Sequence, residues 1–261
     1  MIARVASLLG RLLGFAARRS VVVALLAGIG VGIWALWYDS EIAYVVDRFA
    51  GKVSEVKRTY VPLGTSPAAG DDRALVTVVV FADFHCGYCR KSAAVRRAIR
   101  KRYGDKVRWV YKHFSGRSPA ARAGAFAADQ RRFFELADRF FSSSTRLTKA
   151  DIERHVARAG LDVDKLRVAL REGRYDKTVR ADTALGKRLG VRGTPSYFIN
   201  GRNLKGHWPL PFFDLIVRQE MARARAALAN GITREALYRV LCGGGDSKPA
   251  PIKAPAKRAA R

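Results

Sequence analysis

Hydrophobic patterning divides the chain into segments of different kinds. Residues 21–38, VVVALLAGIGVGIWALWY, run eighteen positions without a charge. As a helix rising ~1.5 Å per residue they would span about 27 Å, the thickness of a bilayer's hydrocarbon. ALVTVVVFADF, starting at residue 74, is β-branched and apolar on both faces, which predicts a central strand covered on both sides. Helical spacing runs from Cys86 to Tyr103 and closes at Gly104, and KVRWVYKHF then alternates as a second strand. From residue 118 to 190 the period is helical throughout. Thr148 with Asp151 has the form of a capping box, Ile152, Val156 and Ala159 share a face, and Gly160 ends that helix. Asp162 caps the next, with Leu166 and Leu170 one turn apart. PSYFING reads as strand and turn, RNLKGHW as a short strand, residues 210–229 as a helix and residues 233–241 as a shorter one.

The order is therefore strand, helix, strand, a helical block, strand, strand, helix, and the class is α/β. Residues 39–73 read as a juxtamembrane helix and a linker, since VPLGTSPAAGDD has the Pro, Gly and Asp of a loop. Residues 231–242 carry the last helix. Residues 243–261, rich in Gly, Pro, Ala and Lys, bury too little surface to order themselves and read as a disordered basic tail.

Charge adds an orientation. Residues 1–20 hold Arg4, Arg11, Arg18 and Arg19, while Asp39 and Glu41 follow the apolar run. The positive-inside bias then puts residues 1–20 in the cytoplasm and everything after residue 39 outside it, on the periplasmic side of a single-pass inner-membrane protein. Trp34, Trp37 and Tyr38 would sit at the far interface. A cleavable signal peptide is the rival reading, but the run is longer than the usual ~7–15 residues and ends in Leu36, Trp37 and Tyr38 rather than a small-x-small site. Ala24, Gly28 and Gly32 give the span a small-residue face of the kind through which membrane helices dimerise. Lys and Arg outnumber Asp and Glu by 49 to 22 over 261 residues. The excess is spread along the chain with no RNA- or DNA-reading motif, so the expectation is a solvated basic face near anionic lipid and no nucleic acid.

The chemistry lies in FADFHCGYCRKS, where Cys86 and Cys89 stand three residues apart at the turn from strand to helix. Residues so spaced share a helix face and can close a disulfide. Cys86 would meet the free N–H groups and macrodipole of the helix start, with Arg90 and Lys91 adding positive field, so it is the better nucleophile. Cys89, one turn in, is the resolving thiol. A zinc site needs about four ligands, and beyond this pair the chain offers only Cys242 and four scattered histidines. A purely structural bridge closing so short a loop removes little unfolded-chain entropy. Redox exchange is the third reading, with the pair itself as redox group and no other cofactor or metal. Cys242 is an odd thiol, either a cross-link between chains or a buried, idle side chain.

A second segment, GVRGTPSYFING at residues 190–201, sharpens this. With F-x-D-F-x-C-x-Y-C at residues 81–89 and VYKHF in the second strand, the chain resembles the DsbA-like branch of the thioredoxin superfamily from about residue 75 to 229. The resemblance implies a thioredoxin-like domain from residues 74–117 and 191–230 and an all-helical subdomain inserted at residues 118–190, and the transmembrane helix read from the apolar run precedes both. It makes Cys86 the attacking cysteine, Cys89 its partner and Pro195 a cis-proline facing them, with Thr194 presenting its backbone to an extended substrate strand. Gly87 and Tyr88 set part of the redox poise, and Tyr88 is expected to cover the disulfide. One departure stands out. Many thioredoxin-fold enzymes carry a buried acid six residues before the nucleophile, and this chain has Val80 there. Asp83 and His85 are the candidates to replace it as proton acceptor for Cys89, each with the plainer alternative of a cap or a surface contact.

The function expected is disulfide exchange with cysteine-containing extracytoplasmic proteins, with a membrane redox partner recycling the pair. Gly-Tyr between the cysteines and Thr before the proline resemble the periplasmic isomerases, and the large helical insert resembles the oxidases. The balance favours an oxidase over an isomerase or reductase. A membrane-tethered module that only holds peptides is the non-enzymatic alternative.

Overall fold

A computed structural model describes residues 58–116, 118–143 and 147–243. The proposed span at residues 21–38, its basic flank, residues 39–57 and the tail from residue 244 lie outside the described residues. Among the described residues no helix is long and apolar enough to cross a membrane.

The centre of the fold is β2, Val76–Ala82, all seven of whose residues are buried. Alternation sends its side chains to two sides. Val76, Val78 and Val80 face one cluster with Ile99, Phe213 and Val217, while Val79 and Phe81 face another with Val61, Val110 and Phe198. The β-branched run is apolar on both faces because both faces are covered. Helix α1, Gly87–Tyr103, carries the chain across to β3, Val107–His113, which lies parallel to β2. On the other side of β2 lies β4, Ser196–Ile199, antiparallel to it and followed by β5, Arg202–Lys205. The β4–β5 hairpin turns at Asn200 and Gly201 with φ of 43° and 81°. An Asn-Gly pair favours that left-handed turn, which matches the twist of the strands. Asn200 also pins the start of β2, its side chain accepting from the Thr77 N–H at 2.8 Å and donating to the Leu75 carbonyl at 3.1 Å.

Between β3 and β4 come five helices: α2 Pro119–Asp129, α3 Phe133–Ser142, α4 Lys149–Arg158, α5 Val163–Arg171 and α6 Asp176–Arg188. Thr148 and Asp151 form the reciprocal capping box that starts α4, and Asp162 accepts from the Asp164 and Lys165 N–H groups at the start of α5. Helices α7, Leu210–Ala229, and α8, Arg234–Leu241, complete the described chain. Cys242 follows α8, buried at 2% exposure. Its sulfur lies against Gly201, where an added Cβ would come within 3.0 Å of it.

Residues 58–73 differ from the linker that their Pro, Gly and Asp content predicts. Ala68–Ala69 forms a short strand, β1, antiparallel to β3, so the sheet runs β1-β3-β2-β4-β5. Val61 is fully buried. Arg58 forms a two-pronged pair with Glu220 on α7 at 2.8 and 2.9 Å and also donates to the Asn200 carbonyl. The loop composition is real, but the backbone of the loop is paired to the sheet, Val61 fills the core and Leu63 packs against it. Glu220 is 2% exposed. Arg58→Ala should therefore strand a carboxylate without its partner and lower stability by roughly 3–5 kcal/mol, read as a lower urea midpoint with unchanged slope.

Candidate active site

The site forms where β2 ends. The Ala82 carbonyl accepts from the Phe114 N–H at 3.0 Å, the last rung joining β2 to the chain after β3. Asp83 then turns the chain, its side chain accepting from the His85 N–H at 2.9 Å and its carbonyl from the Cys86 N–H at 3.1 Å. Phe84, 1% exposed, drives inward between the sheet and the helical block. Its ring stacks on Tyr111 at 5.5 Å and meets Phe140 at 5.0 Å and Phe141 at 5.1 Å. The turn before the cysteines is thus held from both sides.

Cys86 is the N-cap residue of α1, half-buried, so its sulfur sits beside unpaired backbone N–H groups. The first turn of α1 has no acidic residue. Cys89, one turn on, is 3% exposed. Both are free thiols. The Thr194–Pro195 peptide is cis, and the Thr194 carbonyl oxygen lies 3.2 Å from the Cys86 sulfur. Pro195 and Cys89 line the same cavity. The Cys86 thiol is drawn down from 9.0 to about 5, first by the hydrogen bond from Cys89, then by the Thr194 hydroxyl and the N–H groups of Cys89 and Tyr88, against the opposing effect of burial. The Thr194 carbonyl favours the protonated thiol, which donates to it, but the donors on the other side of the sulfur outweigh it. Cys89 is driven up, because it is the donor to the Cys86 thiolate and because burial penalises its charge. One proton is thereby confined to the inner sulfur.

The other residues singled out from the sequence fall differently. Asp83 makes the cap contact, to the His85 N–H, and the His85 Nδ1 is buried with no hydrogen-bond partner. Tyr88 is turned largely to solvent. Its side chain is 62% exposed and its ring is met by the Lys91 ammonium at 5.7 Å; a residue on the outer face of the first helical turn has the solvent on one side, and only its N–H reaches the Cys86 sulfur. Gly87 is exposed. Among the described residues no three of His, Cys, Asp and Glu converge as ligands for a metal.

Behind Cys89 lies a cavity of about 30 Å³, lined among others by Val80, Ser92, Arg96, Tyr111 and Tyr197. Val80 pairs across the sheet with Tyr111 on β3 and with Tyr197 on β4. Directly opposed residues point to one face, so the position that holds an acid in many related enzymes is flanked here by two phenols. Ser92, Arg96, Tyr111 and Tyr197 were not singled out from the sequence. The one available signal was the spacing of Cys89 and Ser92, which puts them on one helix face.

A pair of cysteines three apart at a helix start, the inner one buried, the outer one held as thiolate against a cis-proline loop, on a sheet with a helical block between β3 and β4, defines the class of DsbA-like thioredoxin folds. The chain belongs to the Thioredoxin family, whose profile residues 63–212 match. The structure of alpha-DsbA1 from Wolbachia pipientis superposes with a TM-score of 0.58 at 21% identity, covering 64% of this chain and 96% of that one. A thioredoxin-like oxidoreductase from Silicibacter pomeroyi superposes with a TM-score of 0.55 at 25% identity, covering 62% and 93%. Among curated proteins, the chain is 29% identical over 207 residues to the Na(+)/H(+) antiporter NhaA 3 of Salinispora tropica, covering 71% of this chain and 32% of that protein. The chain thus spans about a third of the length of that relative.

The two displaced thiols predict a specific pH behaviour. Alkylation of the reduced protein by iodoacetamide should fall on Cys86, with a rate that drops as pH falls through about 5. Between pH 5 and 9 the unfolded chain keeps a proton on Cys86 that the folded chain has released, so reduced protein should gain stability as pH rises across that window and lose it as pH falls. Above about 9 the unfolded chain releases the Cys89 proton while the folded chain keeps it, and the gain should turn into a loss. Urea midpoints of reduced and oxidised protein, compared across pH, test this, because the oxidised form has neither thiol to titrate.

Proposed function

We propose that this protein is a membrane-anchored thiol-disulfide oxidoreductase that acts through Cys86 and Cys89 on extracytoplasmic proteins, as a disulfide-forming oxidase. The observation that carries this is the placement of the Cys86 sulfur at the start of α1, 3.2 Å from the Thr194 carbonyl of the cis Thr194–Pro195 peptide, where the thiol is drawn down and the buried Cys89 thiol is driven up. A client thiolate attacks the Cys86 sulfur of the oxidised pair, and the mixed disulfide is then resolved by a second client thiol. The client leaves with a disulfide and the pair is left reduced. Thiolate stabilisation favours the reduced pair over its disulfide and so makes the couple oxidising. That argues for oxidation as the direction and calls for a partner that removes the electrons.

Support for the anchor comes from residues 21–38 and their flanking charges. The proposed organisation places a thioredoxin-like domain, residues 74–117 and 191–230, and its helical insert, residues 118–190, on the periplasmic side of the inner membrane. Clients are proteins with cysteines. The edge at Thr194 is offered to an extended segment of client chain, which it would meet by backbone pairing. Ion antiport, the activity named for the curated relative, is not part of this proposal.

Titration of the full chain in mixtures of reduced and oxidised glutathione should show one reversible two-thiol transition, lost in Cys86→Ser. A midpoint nearer about −120 mV than about −270 mV fits an oxidase, and the reverse overturns that direction in favour of an isomerase or reductase. Cysteines that do not respond at all would leave a tethered peptide-holding module. Carbonate extraction of membranes should leave the full chain in the pellet and release a chain lacking residues 1–38.

A further inference from the structure

The inner thiol poses a problem that the proposed exchange must solve. Cys89 sits 3% exposed, its proton held tightly, and the position where an acid would receive that proton is Val80. Arg96 lines the same cavity, but a guanidinium does not accept a proton. Its own partner is Asp138, which is shared with Arg97 and does not line the cavity. Asp83 does not line the cavity, and its carboxylate accepts from the His85 N–H. Tyr111 and Tyr197 both have phenols pushed well above their ordinary range by burial, so neither serves as a final acceptor.

The cavity nevertheless has a polar outlet. Ser92, on the same face of α1 as Cys89, lines it, meets the Tyr197 hydroxyl, and is 2.9 Å from the Nδ1 of His207. His207 follows β5 and is half-exposed. Tyr111 and Trp109 also line the cavity, and the Tyr111 hydroxyl and the Trp109 Nε1 are buried without hydrogen-bond partners. A cavity of about 30 Å³ has room for one or two waters, and these groups supply the two to four polar partners that a buried water needs.

We infer that Ser92 and His207 form a proton relay that connects the buried Cys89 to solvent and takes the place of the missing acid. This rests on the exchange chemistry proposed above and names how its inner thiol is served. With a client joined to Cys86 by a mixed disulfide, the Cys89 thiol gives its proton to water in the cavity. That water passes one on to the Ser92 oxygen as Ser92 donates to Nδ1 of His207, and the imidazolium releases the Nε2 proton to solvent. The freed Cys89 sulfur forms a bond to the Cys86 sulfur. The bond between Cys86 and the client sulfur breaks, and the client leaves with the electron pair and takes up a proton. The cysteine pair is oxidised by two electrons and the client reduced by two. In the oxidase direction the same relay returns a proton to Cys89 as it leaves. His207 suits the outer station because it reaches solvent while its Nδ1 stays within hydrogen-bond distance of Ser92.

Reaction of the reduced full chain with dithiobis-nitrobenzoate separates the steps. One nitrothiobenzoate is released as Cys86 attacks and a second as Cys89 closes the pair. Cys89→Ser, which lacks the second phase, sets the baseline, including any reaction of Cys242. In His207→Ala and in Ser92→Ala the ratio of the second rate to the first should fall about tenfold or more. Added imidazole should restore that ratio in His207→Ala and not in Ser92→Ala. Ser92→Ala removes one oxygen from a close-packed helix face and keeps the test available if the histidine variant folds poorly. A ratio unchanged in both variants, or a loss in His207→Ala that imidazole does not mend, overturns the relay. A wild-type chain that releases no first equivalent overturns the exchange reading itself.

Discussion

Everything at the site depends on where helix α1 begins. Backbone N–H groups are free only within the first turn of a helix, and their pull on an anion fades beyond it. A sulfur displaced by one residue would lose them. The start of α1 is set by the end of β2, by the cap that Asp83 makes, and above all by Phe84, whose ring is clasped by Tyr111 from the sheet and by Phe140 and Phe141 from the helical block. The inserted helices therefore do more than decorate the sheet. They supply half of the clamp that fixes a thiolate in position, so the largest difference from a minimal thioredoxin-like core bears directly on the chemistry.

The strand-and-helix order was legible because the two periods are clean in this chain. β2 is apolar at every position, as only a strand covered on both faces can be, and α4 and α5 begin at the caps their residues announce. The approach of Cys86 to Thr194 was foreshadowed by two motifs 108 residues apart. Less legible were features made by partners distant in the chain. Two alanines carry no strand signature, and β1 exists because β3 offers an edge. Arg58 and Glu220 are 162 residues apart and look like ordinary surface charges until folding buries them together. Ser92 and His207, 115 residues apart, have no pattern at all.

The polar arrangement behind Cys89 shows how one substitution is absorbed by neighbours. With Val80 in the sheet, charge at that point is replaced by phenols on the two flanking strands and by a serine on the helix above. Neutral groups of this kind cost less to bury than a carboxylate. They neither take up nor release a proton on balance near neutral pH, and so they tie the inner thiol to whatever lies at the far end of the network.

Cys242 sits at the other end of the molecule's thiol chemistry. Buried after α8 against Gly201, it is pushed up to about 12, burial being the first cause. The oxidase proposed above has to live beside its own third thiol. Deprived of both ionisation and access, that sulfur is invisible to a neighbouring copy's active pair, so copies crowded together would not be cross-linked by their own oxidising power.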